Sequence, residues 1–175
     1  MKKNILLLLS GLFILSFCRC KKDDKPLFEM TYTQTFEMAA GLNPIDEHVY
    51  IIRDIASDTT RFFTAGGKRV SSQLSAINPL GMKMFNVSSG AKFDFLERVS
   101  VTMFTDDDPT YEKEIFYREQ IQDSRVGVEL DLVPTFVDAK SMLLKGKYNL
   151  KVKLKPYINS PEFIATRCEL RFGAK

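Results

Sequence analysis

The feature that most constrains the fold is a two-residue alternation of apolar and polar side chains, repeated in short segments along the chain. It is clearest between Lys147 and Lys155, where four apolar residues alternate with four lysines and one asparagine. Successive side chains of a β-strand point to opposite faces of a sheet. This segment therefore forms a strand with one buried face and one exposed face.

The same alternation predicts further strands. It occurs in Phe28–Phe36, in Val126–Leu132 and in Phe163–Phe172, where Cys168 falls on the apolar face and is expected to be a core residue. The segment 163–172 is expected to be the antiparallel partner of 147–155, because a connection of about seven residues is ordinary for neighbouring strands.

The remaining segments are less regular. His48–Ile55 is apolar on both faces, which is typical of a central strand. Arg61–Phe63 is predicted as a brief strand, and Lys68–Ile77 fits a helix or a strand, with Asn78-Pro79 ending it in either case. Leu96–Arg98 is predicted as a kink or bulge between two extended stretches.

These segments, about seven to nine in number and separated by turn residues, favour an all-β fold with antiparallel pairing. We expect an Ig-like β-sandwich. The chain contains no Trp, so the Ig-like prediction concerns the architecture and not membership of the immunoglobulin family. A lipocalin-type barrel is the alternative.

The N-terminus has the layout of a secretory signal. Lys2 and Lys3 precede an apolar run from Ile5 to Phe17, which is followed by Cys18-Arg19-Cys20. The run holds 13 residues, whereas a membrane-spanning helix needs about 20. A cleaved leader is therefore favoured over a permanent transmembrane anchor.

The cysteines at the end of this leader resemble the lipidation site of bacterial lipoproteins, in which a cysteine receives a diacylglycerol and becomes the new N-terminus. Cys20 is the preferred site and Cys18 is the alternative. The charged run Lys21–Lys25 resembles the tract that follows the lipid cysteine in surface-exported lipoproteins of the Bacteroidota type. The resemblance implies an outer-membrane protein of a Gram-negative cell envelope, held to the membrane by its N-terminal lipid.

This prediction divides the chain into a signal peptide (1–19), a tether (20–26) and one domain (27–175). Removal of the leader lowers the formal charge from +3 to zero. The segment from Lys140 to Lys175 is strongly basic and the preceding body is acidic by the same amount. A basic face can meet anionic headgroups or sugars, but lysines alternating along a strand more often protect an edge. No nucleic-acid partner is expected.

No residue pattern selects a catalytic, cofactor or metal site. His48, the single histidine, is expected to be an ordinary strand-end residue, and Asp106-Asp107-Asp108 is expected to form a solvated hairpin turn rather than a calcium loop. Gly66-Gly67-Lys68 lacks the rest of a phosphate loop. Lone Cys168 has no histidine or acid nearby in the sequence to activate it.

The sequence therefore favours a membrane-anchored, non-catalytic module that binds or scaffolds an envelope protein or glycan. Two alternatives remain open, namely a barrel-like carrier of an apolar ligand and a small hydrolase that uses only carboxylates. An enclosed apolar cavity would favour the carrier, and a cleft with two carboxyl groups about 5 to 10 Å apart would favour the hydrolase.

Overall fold

The structure of the protein, a computed structural model, describes residues 25–64 and 72–175. Within these ranges eight strands account for most of the chain. They are β1 (Phe28–Met38), β2 (His48–Ala56), β3 (Ile77–Asn86), β4 (Leu96–Thr105), β5 (Asp108–Arg118), β6 (Glu129–Pro134), β7 (Lys147–Pro156) and β8 (Ile164–Ala174). The helical elements are α1 (Thr59–Thr64), α2 (Lys140–Leu143) and two 3-10 turns, Phe93–Phe95 and Ile121–Asp123.

The strands lie in the order β1-β8-β3-β6-β5-β4-β7-β2. Counted along the chain, the first strand pairs with the last, the second with the second to last, and so on. The pairs are β1 with β8, β2 with β7, β3 with β6 and β4 with β5, and all are antiparallel. This nesting is that of one long hairpin rolled into two four-stranded halves, which is the strand order of a jelly roll. The all-β, antiparallel sandwich of seven to nine strands is confirmed, and the connections are those of a jelly roll.

The two halves face each other across a core rich in aromatic side chains. Tyr32 of β1 meets Tyr148 of β7 edge to face, with ring centroids 5.6 Å apart, and Phe116 of β5 meets Phe172 of β8 at 5.9 Å. The halves are joined at β5 and β6 by two residue pairs. The terminal strands β1 and β2 also approach each other, so the sheet is nearly closed.

The predicted burial of β7 and β8 is confirmed, but their predicted pairing is wrong. Along both strands the expected apolar residues are buried, Cys168 among them. However, β7 pairs with β2 and β4, whereas β8 pairs with β1 and β3. The connection 157–163 crosses from one half of the sandwich to the other. Alternation shows which face of a strand is buried and carries no information about its neighbour.

The prediction that β2 is central is also wrong, since β2 is the last strand in the sheet order. Its outer face is apolar but only partly covered, with Val49 48% and Ile51 45% exposed. A bulge interrupts the strand between Ile52 and Ile55, where Asp54 has a φ of 55° and donates its backbone N–H to Asn149 Oδ1 at 2.9 Å. Such a bulge hinders edge-to-edge pairing.

The structure corrects the prediction that Asn78-Pro79 ends an element. Pro79 does not end an element but lies inside β3, where a register shift between Pro79 and Gly81 accommodates it. Of the ambiguous segment 68–77, residues 68–71 lie outside the described ranges and Ile77 begins β3. The predicted bulge at Leu96–Arg98 is confirmed, although Phe93–Phe95 just before it is a 3-10 turn and not extended.

The predicted brief strand at residues 61–63 is instead part of α1, which covers the gap between β1 and β2. Phe62 is fully buried and its ring centroid lies 6.0 Å from that of Phe28. The Arg61 guanidinium donates to the carbonyl oxygen of Glu29 at 3.1 Å, and the backbone N–H of Asp58 donates to the Tyr32 hydroxyl at 3.3 Å. Part of the free edge of β1 is thereby covered.

Odd-numbered strands run one way and even-numbered strands run the other, so the connections fall at two ends. The distal end is formed by residues 39–47, 87–95, 119–128 and 157–163. The proximal end is formed by residues 57–64, 72–76, 106–107 and 135–146, together with the beginning of β1 and the C-terminus. The domain therefore begins at the end opposite to the distal connections.

Candidate functional site

The lipidation candidates Cys20 and Cys18 lie outside the described residues. His48 begins β2, and its Nε2 atom donates to the carbonyl oxygen of Asn43 at 3.0 Å. The Asn43 side chain in turn accepts the backbone N–H groups of Ile45 and Asp46. His48 thus braces a turn of the distal end. Within residues 25–64 and 72–175, no group of three or more His, Cys, Asp or Glu residues is placed to hold a metal ion.

The acidic cluster forms the β4–β5 hairpin turn, as predicted, and its carboxylates diverge. Asp107 binds Lys145 Nζ at 2.6 Å, while Asp106 accepts from Asn149 Nδ2 at 2.7 Å. Hydrogen bonds from Lys145 and then from Thr105 lower the pKa of Asp107 to about 2. Each of these carboxylates is satisfied by a side chain of the protein, so the turn is a structural feature.

A polar layer that the sequence did not single out covers the outer face of β7, β4 and β5. We call it the charged ladder; it consists of Glu112, Glu114, Lys151 and Lys153 above Ser100 and Thr102. Glu112 pairs with Lys151 and, at 3.9 Å, with Lys153. The Ser100 hydroxyl donates to Glu114 Oε1 at 2.5 Å and only 4% of the residue is exposed. The Ser100 hydroxyl therefore lies beneath the charged side chains and is bonded to one of them.

The charged ladder also explains the opposite charges of the two parts of the sequence. Two further lysines of the basic segment bind acids of the body, Lys145 to Asp107 and Lys147 to Asp54, the latter at 3.1 Å. Four lysines of the basic C-terminal segment are therefore paired with three carboxylates of the acidic body within the fold.

A second group of charges surrounds a cleft of about 440 Å³ on the outer face of β8, β3 and β6. Lys83 lies between Glu129 and Asp131, whose proximity raises the pKa of the lysine, the Glu129 hydrogen bond most of all. The cations of Lys83 and Arg167 also lie over the Phe85 ring, at 5.7 and 4.8 Å from its centroid. Ion pairs and contacts between cations and an aromatic ring of this kind are typical of a solvated sheet face.

The distal end carries a third feature, a polar cleft of about 440 Å³ that we call the distal cleft. It is lined by Glu97, Arg98, Glu119, Gln120, Gln122 and Lys155. Its two cations are already bonded to the β1–β2 connection, Arg98 to Glu47 at 2.8 Å and Lys155 to the carbonyl oxygen of Ile45 at 2.6 Å.

The carboxylates of the distal cleft, in contrast, are available to a ligand. Glu97 and Glu119 are both exposed, and within the described part of the chain neither forms an ion pair. Gln122 Oε1 is buried without a partner among the described residues and is not itself open to a ligand. The two carboxylates therefore offer sites for hydrogen-bond donors.

Large apolar side chains project from the connections around this cleft. Ile45 is 83% exposed, Tyr157 is 59% exposed and Ile158 is 55% exposed, and Val87 and Phe163 at the same end are about as exposed as Ile158. Ile45 is joined to the cleft by the hydrogen bond from Lys155 to its carbonyl oxygen, and Tyr157 follows Lys155 by two residues.

Backbone hydrogen bonds hold the distal connections to one another. The N–H of Gly41 donates to Ser160 at 3.0 Å, the N–H of Tyr157 donates to Phe95 at 2.7 Å, and the N–H of Phe93 donates to Gly127 at 3.0 Å. All four distal connections take part. The exposed apolar side chains thus project from a braced surface, which reduces the entropy lost when a partner binds.

No family model, curated protein or solved structure matches this chain. In the ranges that the structure describes, no helix has the length and apolar character required to cross a membrane. Because jelly rolls and related sandwiches carry many unrelated functions, the fold alone indicates none of them. The function must be argued from the distal surface and from the position of the chain's beginning.

Proposed function

We propose that the protein is a lipid-anchored, non-catalytic module of the bacterial cell envelope that binds a partner through its distal end. The observation that carries this proposal is that the chain enters the domain at the proximal end, whereas the candidate binding surface lies at the distal end. The domain begins at Leu27, whose N–H binds Ala174 at the proximal end, while the braced apolar loops and the distal cleft lie at the other end. An anchor before Leu27 leaves the distal end free to meet a partner.

The anchor itself is proposed from the leader, with Cys20 as the lipidated residue and Cys18 as the alternative. A lipid on Cys20 leaves a tether of residues 20–26, which spans at most about 25 Å when fully extended. Such a short tether holds the domain close to the membrane. The outer membrane of a Gram-negative cell is the location that the leader favours.

An envelope protein is favoured over a glycan as the partner. Sugars are bound chiefly by aromatic faces and polar groups, whereas the distal end exposes aliphatic side chains such as Ile45, Ile158 and Val87 beside its aromatic residues. An apolar centre with a polar rim is the usual composition of a protein interface. The available acceptors of the distal cleft suit a lysine or arginine side chain of that partner.

The hydrolase remains the second candidate because Glu97 and Glu119 line one cleft. Both side chains are exposed, however, and a carboxyl group that acts as a general acid near neutral pH depends on desolvation. A panel of chromogenic glycosides and esters tests this candidate, with Glu97→Gln and Glu119→Gln as controls. Turnover that either substitution abolishes would replace the binding module with an enzyme.

The carrier has less support. The space between the two halves is filled by large side chains, of which Tyr148, Phe93, Phe95, Phe116 and Phe172 are almost completely buried. The clefts described above open on the outer surface, and polar groups make up about half of each lining. Neither is the enclosed apolar cavity that a carrier requires.

The anchor is tested by intact-mass analysis and membrane fractionation of the wild type and of the Cys20→Ala and Cys18→Ala variants. We expect the wild type to carry acyl chains and to sediment with membranes. Substitution of the lipidated cysteine should abolish acylation. If the wild type carries no acyl chains, the anchor assignment is wrong.

The distal surface is tested by a photo-crosslinking residue placed at position 45 or 157. A matched control carries the same residue at position 51, which is 45% exposed and lies further along β2, toward the middle of the strand. We expect a discrete crosslinked product from the two distal positions in intact cells. Equal products from all three positions, or none from 45 and 157, would argue against a distal binding site.

A further inference from the structure

We infer that the proximal end of the domain docks on the lipid surface that holds the anchor, with Phe136 inserted at the level of the headgroups. This inference rests on the proposed lipid anchor but concerns a different surface. It assigns the bilayer itself as the ligand of the proximal end.

Four aromatic or leucine side chains are exposed among the described residues of the proximal end. Phe136 is fully exposed, Leu27 is 60% exposed, Tyr111 is 54% exposed and Phe63 is 43% exposed. They come from four separate parts of the chain, namely the beginning of β1, α1, the first part of β5 and the connection after β6. Single exposed apolar residues are normal on any protein, so their grouping at one end is the relevant observation.

Backbone hydrogen bonds join the beginning of β1 to the connection that carries Phe136, while the side chains of Arg61 and Lys113 bond α1 to the first of these parts and β5 to the second. The N–H of Leu27 donates to Ala174 at 2.7 Å, and the N–H of Lys175 donates to Ala76 at 2.9 Å. The N–H of Ala139, three residues after Phe136, donates to Ile77 at 2.8 Å. The start of the domain, its C-terminus and the connection that carries Phe136 are therefore adjacent.

The length of chain that precedes this surface determines what it faces. From Cys20 to Pro26 the chain spans at most about 25 Å. A strand of 11 residues such as β1 or β8 is itself about 36 Å long. If Cys20 carries the lipid, this tether keeps the proximal end within reach of the bilayer. Because the tether is shorter than the domain, it does not let the domain turn its distal end toward the same membrane.

Two lysines of the proximal end are already paired with acids, so we expect apolar contacts to carry the docking. Lys145 and Lys147 are bonded to Asp107 and Asp54, which cancels much of their attraction to anionic lipids. Lys113 lies over the Tyr111 ring, 5.5 Å from its centroid. An aromatic ring with a lysine beside it is typical of side chains at a membrane interface. Zwitterionic lipid should therefore suffice.

The absence of Trp from the chain permits a direct test. Phe136→Trp places a single Trp on the proposed docking surface, at a site so exposed that the substitution does not affect packing. Tyr157→Trp places a single Trp at the distal end, where the native side chain is 59% exposed. The lipidated mature variants are inserted into zwitterionic vesicles whose acyl chains carry bromine, a quencher of Trp fluorescence.

We expect the fluorescence of Trp at position 136 to fall about two-fold or more in brominated vesicles relative to unbrominated ones, with emission shifted to shorter wavelength. Trp at position 157 should change by less than a tenth. Phe63→Trp, on α1, is a second proximal reporter and should also be quenched. Vesicles with added anionic lipid should give the same quenching.

The outcomes separate this inference from the proposed function. If the protein is acylated and bound to vesicles but positions 136 and 63 are quenched no more than position 157, the docking is wrong and the anchor stands. If intact mass shows no acyl chain in the wild type, the anchor and the docking both fail. Quenching at position 157 alone would mean that the distal end faces the membrane, which also overturns the inference.

Discussion

Replacement of Phe62 by alanine should destabilise the domain by about 3 kcal/mol or slightly more, the lower part of the range for truncating a buried Phe. The Phe62 side chain is completely buried and packs on Phe28 in the gap between β1 and β2. The lower part of the range is appropriate because α1 lies at the periphery, where the chain can partly collapse into the cavity.

The physical basis of this prediction is the dependence of α1 on one side chain. A helix of six residues does not form on its own in water. Docking of Phe62 therefore positions the helix, and with it the hydrogen bonds from Arg61 to Glu29 and from Asp58 to Tyr32. Loss of the ring should loosen all of these contacts together.

Phe63→Ala is the matched control. It makes the same chemical change at the next residue of the same helix, where the side chain is 43% exposed, so the change in helix propensity cancels between the two variants. We expect it to cost less than about 1 kcal/mol. Urea unfolding followed by circular dichroism measures both values. With a slope of about 2 kcal/mol per molar, the Phe62 variant should lose about 1.5 M in its midpoint.

The reasoning would be refuted if the two variants shifted the urea midpoint equally. That result would mean that α1 is not docked through Phe62 and that another segment closes the gap between β1 and β2. An equal slope for wild type and variants is required for the comparison, since a changed slope would indicate a different unfolded or native state.

Three further predictions concern buried or paired groups. Tyr148→Phe should leave stability unchanged or raise it by about 1 kcal/mol, because it removes a buried hydroxyl that has no partner among the described residues, whereas Tyr32→Phe, which removes an acceptor, should lower it in the same urea assay. The carboxyl of Asp107 should titrate near pH 2 by NMR, and Lys145→Met should return it toward 3.8; since its pKa is lowered by folding, the stabilisation is complete above pH 3.8 and is lost as the pH falls through 2. The thiol of Cys168, whose pKa burial raises from 9.0 to about 12, should resist alkylation in the native protein at pH 8 and react after unfolding, as peptide mass spectrometry can show; its contribution to stability is present below pH 9.0 and is lost as the pH rises toward 12. Rapid native labelling of that thiol would place it outside the core.

The candidate site shows where sequence reasoning stops. The Asp106 turn and the buried Cys168 were predicted because neighbouring residues are enough to indicate them. The charged ladder was not, because Glu112 and Lys151 are far apart in sequence and meet only after β4 has brought β5 and β7 to its two sides. The only signal for it in the sequence was the opposite charge of the two parts of the chain.

The distal cleft was also beyond prediction from the sequence. Its lining comes from the beginning of β4, the connection after β5 and the end of β7, and no local pattern marks Glu97, Glu119 or Gln122 as partners. Exposure is equally a tertiary property. Ile45 and Tyr157 are apolar residues in loops, and the sequence does not show whether such residues pack against the core or project from it.

By itself the sequence determined the class of the fold and the buried face of its regular strands. Both follow from the pleat, which sends successive side chains to opposite sides within a few residues and so records burial locally. Only the tertiary structure decided that β7 and β8 lie in different halves, that β2 is terminal and that the start of the domain lies opposite the distal cleft. These three features depend on which strands pair with each other. The free energy that favours one pairing over another comes from many contacts between residues far apart in the chain, so no local pattern records it.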